Sequence, residues 1–210
     1  MSVRDFMTKN VITVHSAMPI FDAIDLMKKH DIHRLPVVDQ QRLVGLITEG
    51  TIAEAMPSKA TSLSVYEMNY LLNKTTVADI MLKKVTTIKP EALLEDAIAV
   101  MREENVGVLP VLADDELVGI ITNNDIFDAF LKITGYYEGG TRVALEIIDD
   151  HSGVLAEITQ LLTDHQLSIL TIVVNRMALK TIVEIQVESR QVSEIEKIFA
   201  NAGYTVLSAG

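Results

Sequence analysis

Two short segments hold the groups best suited to chemistry in this chain, Thr122-Asn123-Asn124-Asp125 and His33-Arg34. Asp125 stands three residues after a threonine that opens a helix. An acid at that spacing can close the helix end as part of a Thr-x-x-acid capping box. It can also offer acceptor oxygens to a pair of adjacent hydroxyl groups, while the free N–H groups and positive dipole of the helix start favour an anion. The two roles can coexist. Arg34 presents a planar fork that fits phosphate in bidentate fashion, with a surface salt bridge as the alternative in a chain rich in carboxylates. His33 lies beside it and could instead cap a strand end. His30 and His33 are three residues apart, but with no third ligand or carboxylate constellation they make a weak metal signal, and no metal is expected. Catalytic patterns do not stand out. Ser152 next to His151 is no triad, and Gly135, Gly139 and Gly140 lack the Lys-Ser/Thr ending of a phosphate loop, so the chain is not expected to be an enzyme.

The elements that must position these groups are written twice. The pattern Val-x-Asp-x-Met at Val3–Met7 returns at Val77–Met81, Leu35-Pro36-Val37 returns at Leu109-Pro110-Val111, and Leu43-Val44-Gly45 returns at Leu117-Val118-Gly119, each 74 positions on. A constant offset means one duplicated structural unit, and two such units usually face each other across a groove where a ligand can sit. In each copy an extended run comes first, Val11–Val14 or Val85–Ile88. An amphipathic helix follows, marked by Ile20, Ala23, Ile24 and Met27 or by Leu94, Ala97, Ile98 and Met101. Arg34–Val38 and Val108–Leu112 then read as strands, polar turns lead to returning strands ending at Ile47 and Ile121, and Thr48 and Thr122 open further helices. Residues 58–74 between the copies are expected to form a connecting helix, with Tyr66 and Tyr70 one turn apart on it.

That ordered set, occurring twice at one offset, resembles a tandem CBS-domain pair over about residues 1–131. The resemblance implies a regulatory module that binds adenosine-containing ligands such as AMP, ADP or ATP in the cleft between the motifs and carries no catalysis of its own. It implies that Asp125 receives both ribose hydroxyls, that Thr122 faces phosphate with Asn124 beside it, and that Arg34 reaches toward phosphates. Because the motifs exchange contributions in this family, Thr13, Ile32 and His33 are expected at the Asp125 site, with Ile120 packed on the adenine. The first copy departs from the pattern, since Thr51 stands where the second copy has Asp125. A neutral hydroxyl is a poorer anchor than a carboxylate, so the site around Thr48 and Thr51 is expected to be the weaker one.

After Gly135-Tyr-Tyr-Glu-Gly-Gly140 the pattern changes, and a further domain is expected over 141–210. Its strands and helices come in the order βαββαβ, a ferredoxin-like plan. The turn Asp149-Asp-His-Ser-Gly-Val-Leu155 resembles the Asp-x-x-Gly-x-Leu turn of an ACT domain. That resemblance implies an amino acid or other small metabolite held near Asp150, Ser152 and Gly153, with a tight turn capped by Asp150 as the alternative, and sheet pairing between subunits. A CBS pair followed by an ACT domain is similar to the bacterial acetoin-utilisation regulatory proteins. The expected class is therefore mixed α/β (α+β), divided into a first CBS motif over 1–57, a connecting helix over 58–74, a second motif over 75–131, a hinge over 132–140 and an ACT domain over 141–210.

Composition limits the partners. The 210 residues are 49% hydrophobic and 22% charged, enough apolar material for a well-buried core. With 18 basic and 29 acidic residues the formal charge is −11, which repels nucleic-acid backbones. No apolar run reaches membrane-spanning length, cysteine is absent, and the N-terminus lacks a secretory pattern, so a cytoplasmic protein with no membrane or nucleic-acid partner is expected. A homodimer is expected, with no required cofactor beyond the regulatory adenine nucleotide. A ligand-free dimerisation scaffold that modulates a partner enzyme or transporter is the competing reading.

Overall fold

The computed structural model describes residues 1–55, 74–178 and 180–210. Apart from Lys74, the expected connecting helix and its two tyrosines lie outside the described residues. The chain divides into two compact units, Met1–Ile126 and Phe127–Gly210.

In the first unit the elements run α1 (Val3–Phe6), α2 (Ile20–His30), β1 (Arg34–Asp39), β2 (Arg42–Thr48) and α3 (Glu49–Ala55), and then repeat as α4 (Val77–Ile80), α5 (Leu94–Glu103), β3 (Val108–Ala113), β4 (Glu116–Thr122) and the start of α6 (Asn123–Ile133), whose residues from Phe127 on belong to the second unit. The motif acid explains the single-turn helices α1 and α4. Asp5 accepts from the backbone N–H and hydroxyl of Ser2 at 2.8 and 2.9 Å, and Asp79 accepts from the same groups of Thr76 at 2.7 and 2.8 Å, so each turn is closed at its start. Gln40 and Gln41, and likewise Asp114 and Asp115, have positive φ, which makes both hairpin loops two-residue turns whose twist matches the strands. The apolar stripe of α2 buries Ile20, Ala23 and Met27 against Leu35, Val37 and Ile47 of the hairpin. Each fully buried aliphatic side chain of this kind is worth roughly 1.5–3 kcal/mol.

The extended runs before α2 and α5 are shorter strands than their β-branched residues suggest. Val14 and Ile88 each form a lone parallel bridge, to Val37 and Val111. The N–H of Val14 donates to the Pro36 carbonyl at 3.1 Å and its carbonyl accepts from Val38 at 2.8 Å; Ile88 does the same with Pro110 and Leu112. The next ladder bond toward the N-terminus would need an N–H from Pro36 or Pro110, and proline has none.

The second unit contains β5 (Thr141–Ile147), α7 (Val154–Asp164), β6 (Ile169–Arg176), β7 (Thr181–Val187), α8 (Val192–Asn201) and β8 (Thr205–Ala209). This is the expected βαββαβ order, and the antiparallel sheet has the strand order β6-β7-β5-β8. Its core joins Val143, Leu145 and Ile147 to Val183, Ile185 and Val187 of the sheet, under Ile158, Leu162 and Phe199 of the two helices. With two four-stranded antiparallel sheets and their helices among the described residues, the chain is of the α+β class.

The glycine-rich segment before β5 is tied down within this unit. The carboxamide of Gln186, a buried residue of β7, donates to the carbonyls of Glu138 and Gly139 at 2.9 and 3.1 Å, and its oxygen accepts from Arg142 at 2.9 Å. Arg142 also donates to the Thr134 carbonyl. Gly140 has φ +106°, and a side chain there would run into the carbonyl of Val187.

Candidate functional site

The two copies of the repeat interlock. Thr8, the residue after the first motif's Met7, exchanges backbone hydrogen bonds with Ile120 of β4 at 2.9 and 3.0 Å, and Leu82 does the same with Leu46 of β2 at 2.8 and 2.9 Å. Gly45 and Gly119 are where these exchanges need space. A Cβ on Gly119 would overlap the Met7 sulfur, and one on Gly45 would overlap Met81 and come within 3.0 Å of the Leu82 carbonyl oxygen. The spacing of Met and Gly that the two copies share therefore reflects a contact each makes with the other.

This exchange brings the end of β4 next to the start of β1. There a cavity of about 250 Å³ is lined by Ile32, His33, Arg34, Ile120, Thr122, Asn124 and Asp125, all of which the sequence singles out. Thr13 is not in the lining; it is exposed, and its neighbours Val11 and Ile12 stand there instead. Thr8, Asn10 and Asp31 also line the cavity. The repeat itself could have pointed to Thr8, because it immediately follows the Val-x-Asp-x-Met pattern that crosses to β4.

Asp125 does close the helix. Its Oδ2 accepts from the Thr122 N–H and hydroxyl, both at 2.7 Å, and its own N–H lies 3.4 Å from the Thr122 hydroxyl oxygen. One oxygen is thus taken by the cap. The other, Oδ1, accepts no hydrogen bond among the described residues and keeps two lone pairs for a ligand in the half-buried cavity wall.

The symmetry-related cavity, about 320 Å³, is lined by Leu46, Thr48, Glu49, Gly50 and Leu82, with Val106, Gly107 and Val108, and again by His33 and Arg34. Thr51 replaces the carboxylate and caps differently: it accepts from the Thr48 N–H at 3.0 Å, its hydroxyl donates to the Thr48 carbonyl at 2.9 Å, and its N–H donates to the Thr48 hydroxyl at 3.1 Å. Its single oxygen is nearly used up by the backbone, and Thr51 does not line the cavity. His33 Nδ1 is 3.1 Å from a Glu49 carboxylate oxygen, both side chains being mostly exposed. Arg34 pairs with no carboxylate among the described residues, and its guanidinium passes so close to Gly107 that a Cβ there would lie 3.0 Å from Nη2. The salt-bridge reading of Arg34 therefore has no partner among those residues.

In the second unit the expected ligand turn is split. Asp150 does not cap α7. It accepts from Arg176 Nε at 3.0 Å and from the Thr181 hydroxyl at 3.1 Å, which ties the turn to β6 and β7. Gly153 is the N-cap of α7, with φ +107°, a left-handed conformation suited to glycine. A cavity of about 270 Å³ nearby is lined by Asp149, His151, Glu157, Gly203 and Tyr204 among others, and Asp150, Ser152 and Gly153 lie outside its lining. His151 Nδ1 bonds the Ser152 carbonyl at 3.1 Å and Nε2 is 3.8 Å from Glu157, and these two neighbours hold its pKa above the ordinary 6.5. Tyr204 is pushed up by burial, with the Glu157 charge adding to it.

Among the described residues no cluster of three or more His, Cys, Asp or Glu could hold a metal ion, and no helix is long and apolar enough to cross a membrane.

Comparison with known proteins covers the repeated part. The profile of the CBS domain matches twice, over residues 3–58 and 77–132. The chain is 33% identical over 130 residues to the L-aspartate semialdehyde sulfurtransferase of Methanocaldococcus jannaschii, a match that takes in 61% of this chain and only 23% of that enzyme. It is 31% identical to the CBS domain-containing protein YhcV of Bacillus subtilis, over 60% of this chain and 82% of YhcV. Among solved structures, a candidate acetoin utilization protein (AcuB) from Vibrio cholerae is 29% identical with a TM-score of 0.55, over 65% of this chain and 95% of that one. The CBS pair of protein MJ0100, in complex with 5′-methylthioadenosine and S-adenosyl-L-methionine, is 32% identical with a TM-score of 0.52, over 62% and 95%. CBSX2 in complex with AMP is 27% identical with a TM-score of 0.53, over 63% and 97%. With both copies of its repeat matched over more than half its length, the chain belongs to the CBS-domain family.

Proposed function

We propose that this protein is a regulatory sensor whose Asp125 cavity binds an adenosine-containing ligand. The observation that carries the reading is the free Oδ1 of Asp125, set in the cavity wall while Oδ2 fixes the side chain's orientation through Thr122. A preorganised carboxylate oxygen with two lone pairs fits the two hydroxyls of a ribose, Ile120 offers an apolar surface for the base, and Arg34 is a cation for phosphate. The AMP, methylthioadenosine and S-adenosylmethionine complexes of similar CBS pairs support the same ligand class. Thr48 and Thr51 make the counterpart cavity the weaker site.

Catalysis is no part of this function. Binding transmits a signal to the extent that two arrangements of the CBS pair differ in affinity, typically by about 1–3 kcal/mol. The C-terminal unit is the receiver: an ACT domain over 141–210, following the CBS motifs at 1–57 and 75–131, that takes an amino acid or other small metabolite. The likeness to AcuB supports a role in acetoin utilisation; a cytoplasmic homodimer completes the reading we propose. Isothermal titration with adenosine, AMP, ATP and S-adenosylmethionine tests the reading. Wild-type protein should bind at least one of them, and Asp125→Ala should lose most of that affinity while still folding; equal binding by both proteins would move the site elsewhere.

A further inference from the structure

The Asp125 cavity and its Thr48 counterpart share one arginine. His33 and Arg34 line both, and the positions that answer to them in the second copy are Gly107 and Val108, which bring no charge. No other lysine or arginine lines either cavity among the described residues. Gly107 is also what lets this happen, because any side chain there would meet the Arg34 guanidinium and the Asn123 amide, each 3.0 Å from the place of its Cβ. The carboxylates are distributed on both sides, Asp31 and Asp125 in one cavity and Glu49 in the other, with Glu49 set against His33.

We propose that the shared Arg34 makes occupancy of the two cavities by phosphorylated nucleotides mutually exclusive, so that the chain holds one such ligand at a time. The inference rests on the nucleotide reading and adds a rule of stoichiometry and ligand charge to it. A phosphate entering the Asp125 cavity meets Asp31 and Asp125, one entering the counterpart meets Glu49, and Arg34 is the guanidinium within reach of both. Once the guanidinium is committed to one phosphate, a second one across Gly107 has no arginine or lysine to meet it among the described residues and faces the charge of the first ligand. An uncharged nucleoside makes no such demand. A cationic sulfonium ligand draws nothing from Arg34 and is disfavoured beside it.

The test separates charge from the sugar anchor. The Thr51→Asp variant gives the Thr48-side cavity the same Thr-x-x-Asp box that Thr122 and Asp125 form, and Arg34→Gln removes the shared cation; circular dichroism verifies that both fold. Calorimetric titration with adenosine and with AMP should then give one AMP per wild-type chain. For Thr51→Asp, it should give two adenosines but a second AMP at least ten-fold weaker than the first. In Arg34→Gln, AMP should weaken at least ten-fold and adenosine less than two-fold. Two equal AMP sites in Thr51→Asp, or equal weakening of both ligands by Arg34→Gln, would each overturn the shared-cation rule while leaving the Asp125 reading intact. Failure of wild-type protein to bind either ligand would overturn the nucleotide reading itself, and this inference with it.

Discussion

Replacing Asp125 by threonine isolates the ligand role from the cap. The first copy shows what a threonine does at this position: Thr51 still closes the helix through three hydrogen bonds with Thr48, at 2.9–3.1 Å. Asp125→Thr should therefore keep the cap and cost the free protein less than about 1 kcal/mol, within the range of cap substitutions. Binding should suffer far more. Two hydroxyl-to-carboxylate bonds, at about 1.5–3 kcal/mol each, give way to at most one neutral bond, because the Thr51-like hydroxyl has already spent its proton and one lone pair on the backbone. The net loss is about 2–4 kcal/mol, or roughly 30- to 700-fold in affinity. In a thermal-shift assay with ligand at 100 times the wild-type Kd, stabilisation of the wild type is about 2.7 kcal/mol and should drop below about 0.9 kcal/mol in the variant. Unchanged ligand stabilisation would refute the carboxylate anchor. A large loss of stability without ligand would refute the claim that threonine and aspartate cap equivalently here.

Other consequences concern stability. Gly140→Ala should destabilise the second unit by more than about 2 kcal/mol, seen as a lowered urea midpoint, since its φ of +106° and the Val187 carbonyl both exclude a Cβ. Gln186→Leu should cost about 1–3 kcal/mol by the same measurement and loosen the segment over 134–140, because the Glu138 and Gly139 carbonyls and one Arg142 N–H lose a buried partner. In acid, Asp5, Asp79 and Asp39 have pKa values held below the ordinary 3.8 by hydrogen bonds from Ser2, Thr76 and Ser16. A depressed carboxylate pKa contributes stability that is complete above that ordinary value and disappears as pH falls through the folded value, so Asp79→Asn should flatten the acid limb of a stability-versus-pH curve and leave its neutral limb unchanged in shape. His151 has the opposite sign: its raised pKa contributes below pH 6.5 and is lost as pH rises past its folded value, a dependence that His151→Gln should remove.

The duplicated order of elements was readable because it depends on local pattern, apolar residues at i, i+3 and i+7 in α2 and α5 and an X-Pro-Val strand in each copy. The same holds for the βαββαβ order of the second unit. Features set by distant partners were not readable in this way. Val11–Val14 and Val85–Ile88 look like strands by composition, yet a missing N–H on a proline some twenty residues away limits each to one bridge. Residues 132–140 look like a hinge by glycine content, but α6 continues to Ile133, and Gln186, 48 positions beyond Glu138, holds the Glu138 and Gly139 carbonyls in place. Asp150 looks like a cap until Arg176 and Thr181 claim it. At the cavity, Asp125 and Arg34 could be named from residue type and repeat position, whereas the lining by Thr8 and Asn10 results from the crossing of one copy's chain onto the other's strand.

The most direct measurement is a crystal structure of the protein grown with AMP. The ribose hydroxyls should both lie within about 3.2 Å of Asp125 Oδ1, with Oδ2 still bonded to Thr122 and the phosphate against Arg34. An AMP bound with its ribose away from Asp125, or a cavity at Asp125 left unfilled while AMP occupies the Thr48 side, would contradict the account.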